Sequence, residues 1–184
     1  MIRPSSIYKI IIAGDGGVGK TTILHRYIEG RFSFNTKMTI GSDIFHKILT
    51  LEDGSICSLQ IWDFAGQERF RFLLDTFVKG ASGAFLMYDL TSYHSLTNLV
   101  EWEKIVRKYE PTLPILLIGG KCDLTDEIVV ADDAALEFSE KYNIRGFYKT
   151  SSRTNYNVSE AFEDLVSVVR DYLSQDSANQ LIET

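Results

Sequence analysis

The residues with the clearest capacity for chemistry stand together near the start of the chain: Gly14-Asp15-Gly16-Gly17-Val18-Gly19-Lys20-Thr21, followed by Thr22. In the pattern G-x-x-x-x-G-K-[ST], glycines let the backbone wrap around phosphate oxygens. Successive N–H groups and the positive end of a following helix then point at one anion. The ammonium of Lys20 adds a point charge toward the β- and γ-phosphates. The Thr21 hydroxyl stands where it reaches Mg²⁺, a hard cation that prefers oxygen ligands. The binding set read from this loop is Asp15, Gly16, Gly17, Val18, Gly19, Lys20, Thr21 and Thr22. Alone, the loop specifies a nucleoside triphosphate and leaves the base open, because kinases and ATPases share it. Metal chemistry of another kind finds no support, since His25, His46, His94, Cys57 and Cys122 show no metal-ligand spacing.

Such a loop works only where a strand delivers it and a helix receives it. Ile7 to Ala13 is a β-branched apolar run that ends at glycines, and Lys20 to Ile28 carries Ile23, Leu24, Tyr27 and Ile28 at helical spacing. Asp43 to Leu51 and Ser55 to Trp62 flank Glu52-Asp53-Gly54, and Asp-Gly between two strand-like runs predicts an antiparallel hairpin. Ala84 to Tyr88 and Ile115 to Ile118 are nearly all apolar, as strands buried on both faces of a parallel sheet must be. Gly146 to Lys149 supplies the last strand. Ser95 to Lys108, Ala131 to Tyr142 and Asn157 to Leu173 read as helices. The alternation predicts an α/β fold: a six-stranded, mostly parallel sheet with one antiparallel edge strand and helices on both faces. The domain is expected over residues 7–173, with flexible segments at 1–6 and 174–184. Ligands of such sheets sit at the carboxyl ends of the strands, where every chemical motif of this chain falls.

With 184 residues, the chain suits one domain with a full core. Nineteen basic against 25 acidic residues give a charge of -6, which disfavours broad binding to nucleic acid or anionic lipid and leaves phosphate recognition to a local site. Two cysteines make no disulfide framework and agree with a reducing compartment. Met1 to Ser6 has neither a secretory apolar core nor a glycine for myristoylation, and no apolar run reaches about 18 residues. A cytoplasmic monomer is expected. Ser174 to Thr184 contains no cysteine, so peripheral membrane association would need a further tail or a partner.

Trp62-Asp63-Phe64-Ala65-Gly66-Gln67-Glu68-Arg69-Phe70 resembles the Asp-x-x-Gly-Gln segment of Ras-like small GTPases, and among them the Rab version, from which it differs only at Phe64. The resemblance spans about Ile7 to Leu173, with four motifs in family order. It implies a P-loop NTPase fold and GTP hydrolysis to GDP and phosphate by positioning and charge stabilisation. It places Asp63 on Mg²⁺ through a water, the Gly66 N–H on the γ-phosphate, and Gln67 on the attacking water. Thr39, eighteen residues after Thr21 as in the family, adds a second hydroxyl to Mg²⁺ and an N–H to the γ-phosphate. The implied metal set is Thr21, Thr39 and Asp63, and the implied catalytic set is Gln67, Lys20, Gly66 and Thr39. Phe32 packs edgewise on the base. Effectors would read switch I (33–45) and switch II (64–78), with an exchange factor and a GTPase-activating protein as further partners. Gly16 leaves room for Gln67 and an incoming arginine finger. No family position supplies that arginine in cis, so intrinsic turnover is expected to be slow. Membrane traffic follows only by analogy with Rab relatives.

Base recognition is where the chain departs from its family. Gly120-Lys121-Cys122-Asp123 aligns with Asn-Lys-x-Asp, with glycine in place of the asparagine. Asp123 keeps the carboxylate that accepts from guanine N1–H and its exocyclic amine, and Lys121 lays its stem along the purine. Losing the asparagine removes one donor and a tether, each hydrogen bond being worth ~0.5 to 1.5 kcal/mol, so faster nucleotide release is expected. Ser151, Ser152 and Arg153 match the third base-recognition element, in which the Ser152 N–H meets guanine O6. Two alternatives stay open from sequence: a nucleotide-dependent binding module that barely hydrolyses, and an ATP-using P-loop kinase.

Overall fold

The computed structural model describes residues 4–33, 39, 41–66 and 77–182, with side chains described as far as residue 175. Strand β1 (Ser6–Ala13) contains Ile10, Ile11 and Ile12, all essentially without solvent contact. Ile10 and Ile12 enter one apolar cluster, whereas Ile11 and Ala13 enter another. This is how a central strand of a parallel sheet must behave, covered on both faces. Helix α1 (Lys20–Glu29) follows the glycine loop and ends at Gly30, whose left-handed φ of 68° lets its N–H close on the Arg26 carbonyl.

Strands β2 (Ser42–Thr50) and β3 (Ile56–Phe64) form the predicted hairpin, in register from Ser42 opposite Phe64 to Thr50 opposite Ile56. At its turn, Asp53 accepts from the backbone and hydroxyl of Ser55 and pairs with Arg170 at 2.5 Å. Strands β4 (Gly83–Asp89), β5 (Ile115–Gly120) and β6 (Gly146–Lys149) complete a sheet of order β2-β3-β1-β4-β5-β6. Only β2 runs antiparallel to its neighbour, as expected. Helices α1 and α5 (Val158–Ile182) cover one face, where Tyr27 stacks on Phe162 with ring centroids 3.9 Å apart. Helices α2 (Tyr93–Thr97), α3 (Leu99–Val106) and α4 (Asp132–Lys141) cover the other.

The larger departures from the sequence expectation lie in three elements. The single helix expected over 95–108 is two, because the chain tightens at Asn98, where the Glu101 N–H bonds the Asn98 carbonyl three residues back. Strand β5 runs on through Gly119 and Gly120, since β4 also continues to Asp89 and pairs with them. Helix α5 extends to Ile182, beyond the Leu173 end that its apolar stripe predicts. The five parallel strands end at Ala13, Phe64, Asp89, Gly120 and Lys149 on one edge of the sheet, and this edge carries the candidate site.

Candidate functional site

The glycine loop leaves β1 and passes over the end of β4 so closely that a Cβ on Gly14 would stand 2.1 Å from the Met87 carbonyl oxygen. Lys20, the first residue of α1, turns back beneath the loop and is 5% exposed. Its ammonium donates to the carbonyls of Gly14 at 2.7 Å and Asp15 at 2.8 Å. Burial lowers its pKa to about 8, opposed by the nearby charges of Asp63 and Asp15. A cationic group so placed is aimed at whatever anion the loop amides hold.

Thr21, Thr39 and Asp63 come from α1, from the segment before β2 and from the end of β3, and their oxygens meet. The hydroxyls of Thr21 and Thr39 lie 2.7 Å apart. Thr21 also donates to Asp63 Oδ2, and the Thr39 hydroxyl lies 3.5 Å from the same atom. Asp63 has no solvent exposure, and its other oxygen, Oδ1, is buried without a hydrogen-bond partner. Burial pushes its carboxyl above the usual range, against the Thr21 hydrogen bond and the Lys20 charge. Two hydroxyls and one carboxylate, whose Oδ1 is buried and unsatisfied, form an all-oxygen set, which fits a small hard cation such as Mg²⁺. Among the described residues no group of three or more His, Cys, Asp or Glu offers a different metal site.

Gly66, two residues beyond β3, presses against the loop: its carbonyl accepts from the Gly16 N–H at 3.0 Å. A Cβ on Gly66 would lie 2.3 Å from main-chain atoms of Asp15 and Gly16, so only glycine fits there. By contrast a Cβ on Gly16 would meet Gly66 at an ordinary 3.8 Å. Gln67, with Arg69 and Arg71, lies outside the described residues, as do 34–38 and 40 of the switch I segment and 68–76 of switch II.

Beside the phosphate loop opens a cavity of about 340 Å³. It gathers Gly17, Val18, Gly19, Thr22, Phe32, Lys121, Asp123, Ser152 and Arg153 from the sequence-derived set, and adds Ser33, Met87 and Leu124. Asp123 is oriented by Ser151, whose hydroxyl donates to Oδ1 at 2.6 Å, with the Arg153 guanidinium 4.0 Å from Oδ2. Ser151 thus contributes by holding Asp123 and does not itself line the cavity. Lys121, in the left-handed region with φ 63°, sends its ammonium to Asp89 at 2.6 Å while its stem borders the cavity.

Two features escape the sequence reading. Asp15 turns its carboxylate away from the cavity, accepting from Asn98 Nδ2 at 2.6 Å and Trp102 Nε1 at 2.8 Å, so only its backbone faces an anion. Arg26 reaches from α1 to the carbonyls of Ser152 at 2.6 Å, Arg153 at 3.1 Å and Gly30 at 2.6 Å. Neither contact has a local sequence signal.

A main-chain phosphate cradle between β1 and α1, faced by an acid and a glycine at the end of β3, defines a P-loop nucleotide-binding α/β protein. The model of the Ras family matches residues 9–171, and the chain belongs to that family. It is 34% identical over 174 residues to the Ras-related protein RABA1a of Arabidopsis thaliana, covering 94% of this chain and 80% of that one. Identity is 35% over 183 residues with the Ypt/Rab-type GTPase YPT7 of Saccharomyces cerevisiae, covering 96% and 86% of the two chains. With the Ras-related protein Rab-3A of Homo sapiens it is 36% over 170 residues, covering 92% and 76%. The protein is therefore a Rab-like small GTPase, with GTP and GDP as nucleotides, Mg²⁺ as metal and GTP hydrolysis as its reaction. Membership favours this reading over a binding module that barely hydrolyses, and effectors, exchange factors and activating proteins are its kinds of partner. Among the described residues no helix is long and apolar enough to cross a membrane.

Proposed function

We propose that residues 7–173 act as a GTP/GDP switch in which Thr21, Thr39 and Asp63 hold the metal and the cavity beside the loop holds guanine. The observation that carries this is the meeting of the Thr21, Thr39 and Asp63 oxygens beside the buried Lys20. Mg²⁺ held by these residues would supply positive charge that offsets the phosphate charge. The amides of Gly16 to Thr21 bind the phosphates, and Lys20 gives up its carbonyl partners to bond them. Asp123, held by Ser151, accepts from the Watson–Crick edge of guanine, and the Ser152 N–H meets O6. Phe32 and the Lys121 stem flank the purine. Gln67 orients the attacking water, and Thr39 with Gly66 senses the outermost phosphate, so that hydrolysis releases both segments.

Effectors read this difference at 33–45 and 64–78. The Rab-like relationship supports a part in membrane traffic for a cytoplasmic monomer. The decisive experiment is binding of GDP to the purified protein with and without Mg²⁺, with ATP as competitor. Tight, Mg²⁺-dependent binding that ATP fails to displace is expected, and displacement by ATP would refute guanine selection. Single-turnover GTP hydrolysis, abolished in Gln67→Leu, tests the switch.

A further inference from the structure

Where the family pattern carries asparagine, Gly120 ends β5, and the vacated volume is filled by another side chain. A Cβ built on Gly120 would stand 2.6 Å from Met87 Cε and 3.2 Å from the Val18 carbonyl oxygen. The same methyl group lies 3.4 Å from the Cβ position of Gly19. Met87 Cε therefore sits between the base-side strand end and the phosphate loop, where a side chain from position 120 would have to pass. Met87 is 1% exposed, packs with the α1–α5 side of the core and still borders the nucleotide cavity.

Neither backbone can retreat to make room. Gly14 of the loop lies against the Met87 carbonyl, Gly120 pairs with Asp89, and the Leu90 N–H bonds the Gly120 carbonyl at 3.1 Å. Any adjustment falls to the thioether, which is flexible and unbranched, and its open side is the cavity.

We infer that Met87 and Gly120 form a complementary pair that sets how firmly the guanine nucleotide is held, the methionine methyl replacing an asparagine tether to the phosphate loop by an apolar contact. The inference rests on the proposed reading that the cavity holds guanine. It reverses the simple expectation for Gly120→Asn. Beside Met87 the new side chain drives the thioether toward the nucleotide, and its amide gains nothing. Beside a shorter residue the amide has a free path to the Val18 carbonyl, which lies within reach of position 120.

The test is a double-mutant cycle on the full chain, reading dissociation of a fluorescent GDP analogue in the presence of Mg²⁺. Gly120→Asn alone should release GDP at least as fast as the parent. Met87→Val alone, which opens the gap, should release it roughly threefold to tenfold faster. The combination Met87→Val with Gly120→Asn should release it roughly twofold to tenfold more slowly than the parent, as one restored hydrogen bond allows. An effect of Gly120→Asn that is the same in the parent and in Met87→Val, or an unchanged rate in Met87→Val, would overturn the pairing. Melting temperatures without nucleotide separate a folding defect from a nucleotide effect, and Met87→Val alone decides the matter if the combination fails to fold. A parent protein that binds no GDP refutes the guanine-site reading instead, a separate outcome of the same assay.

Discussion

The indole N–H of Trp102, a fully buried residue of α3, donates at 2.8 Å to the carboxylate of Asp15 in the phosphate loop, 87 positions earlier in the chain. Asn98 adds a second donor at 2.6 Å to the same oxygen. The helix pair on one face of the sheet thereby fixes the loop's conformation before any phosphate arrives. Asp15→Ala should destabilise the protein by ~1 to 3 kcal/mol, as expected on deleting a charged acceptor from buried donors, and should weaken GDP binding although the side chain faces away from the cavity. Asp15→Asn, which keeps a carbonyl oxygen for the indole, should lie between. Thermal melting and GDP titration of the two variants check the order, and equal GDP affinity in Asp15→Ala and the parent would show that the loop holds its shape without the helices.

Gly66 presses against the loop where the chain leaves β3. In Gly66→Ala the methyl group would strike the main chain of Asp15 and Gly16, which cannot yield as a flexible side chain would. The segment must move away, carrying Gln67 with it. With Gln67 in its proposed role, single-turnover GTP hydrolysis should fall by up to about a hundredfold, the cost of an ångström's misplacement. GDP binding, which involves no γ-phosphate, should change far less. A variant that loses both equally would place Gly66 in folding and not in sensing.

As a proposed holder of Mg²⁺, Asp63 would exchange stability for metal binding. Its carboxyl is pushed above the usual range by burial, so the neutral form is favoured in the fold and the charged form is a burden at neutral pH. A group with a raised folded pKa contributes stability below its unfolded pKa and loses it as pH rises through the folded value. Without nucleotide and in chelator, Asp63→Asn should therefore melt higher than the parent at pH 7. That difference should shrink as pH falls into the range where the native carboxyl protonates. The same variant should lose Mg²⁺-dependent retention of GDP. Melting curves at several pH values in chelator, set beside GDP release with and without Mg²⁺, give the two halves of this expectation.

The parts of the site legible in the sequence are those written in short, contiguous runs. The loop from Gly14 to Thr21 and the segment from Asp63 to Gly66 each carry their geometry in neighbouring residues, and the apolar runs of β1, β4 and β5 predict their burial. What could not be read depends on which elements the fold brings side by side. Met87 reads as one more apolar residue of a buried strand, and only the crossing of the loop over β4 makes it a neighbour of Gly120. Asn98 suits a cap or turn, but its residue type alone does not mark a break inside an apolar helical pattern. The turn there accompanies a side-chain bond to a residue 83 positions away. Helix α5 continues to Ile182, past the apolar stripe that ends at Leu173, and periodicity marks burial alone, so the stripe could not reveal the extension.

Arg26 reaches 126 positions along the chain to Ser152 and 127 to Arg153, and these contacts support the last prediction. Its guanidinium binds the carbonyls of Ser152 and Arg153, and a third bond to Gly30 anchors the same group at the end of α1. The planar fork suits three carbonyls in different directions, a geometry that a lysine ammonium on a flexible stem does not reproduce. In the proposed reading the Ser152 N–H meets guanine O6 only if this loop stays in place, so Arg26, which does not line the cavity, would act through the loop. Arg26→Ala should accelerate GDP release by an amount equivalent to about 2 kcal/mol, the worth of a hydrogen bond from a charged donor, and Arg26→Lys should recover little of it. The discriminating measurement repeats the assay with a 6-thioguanine nucleotide, whose sulfur accepts the Ser152 N–H poorly. If Arg26 positions that N–H, the parent should prefer GDP over the thio analogue and Arg26→Ala should lose most of the preference. A preserved preference would mean that Arg26 only stabilises the end of α1.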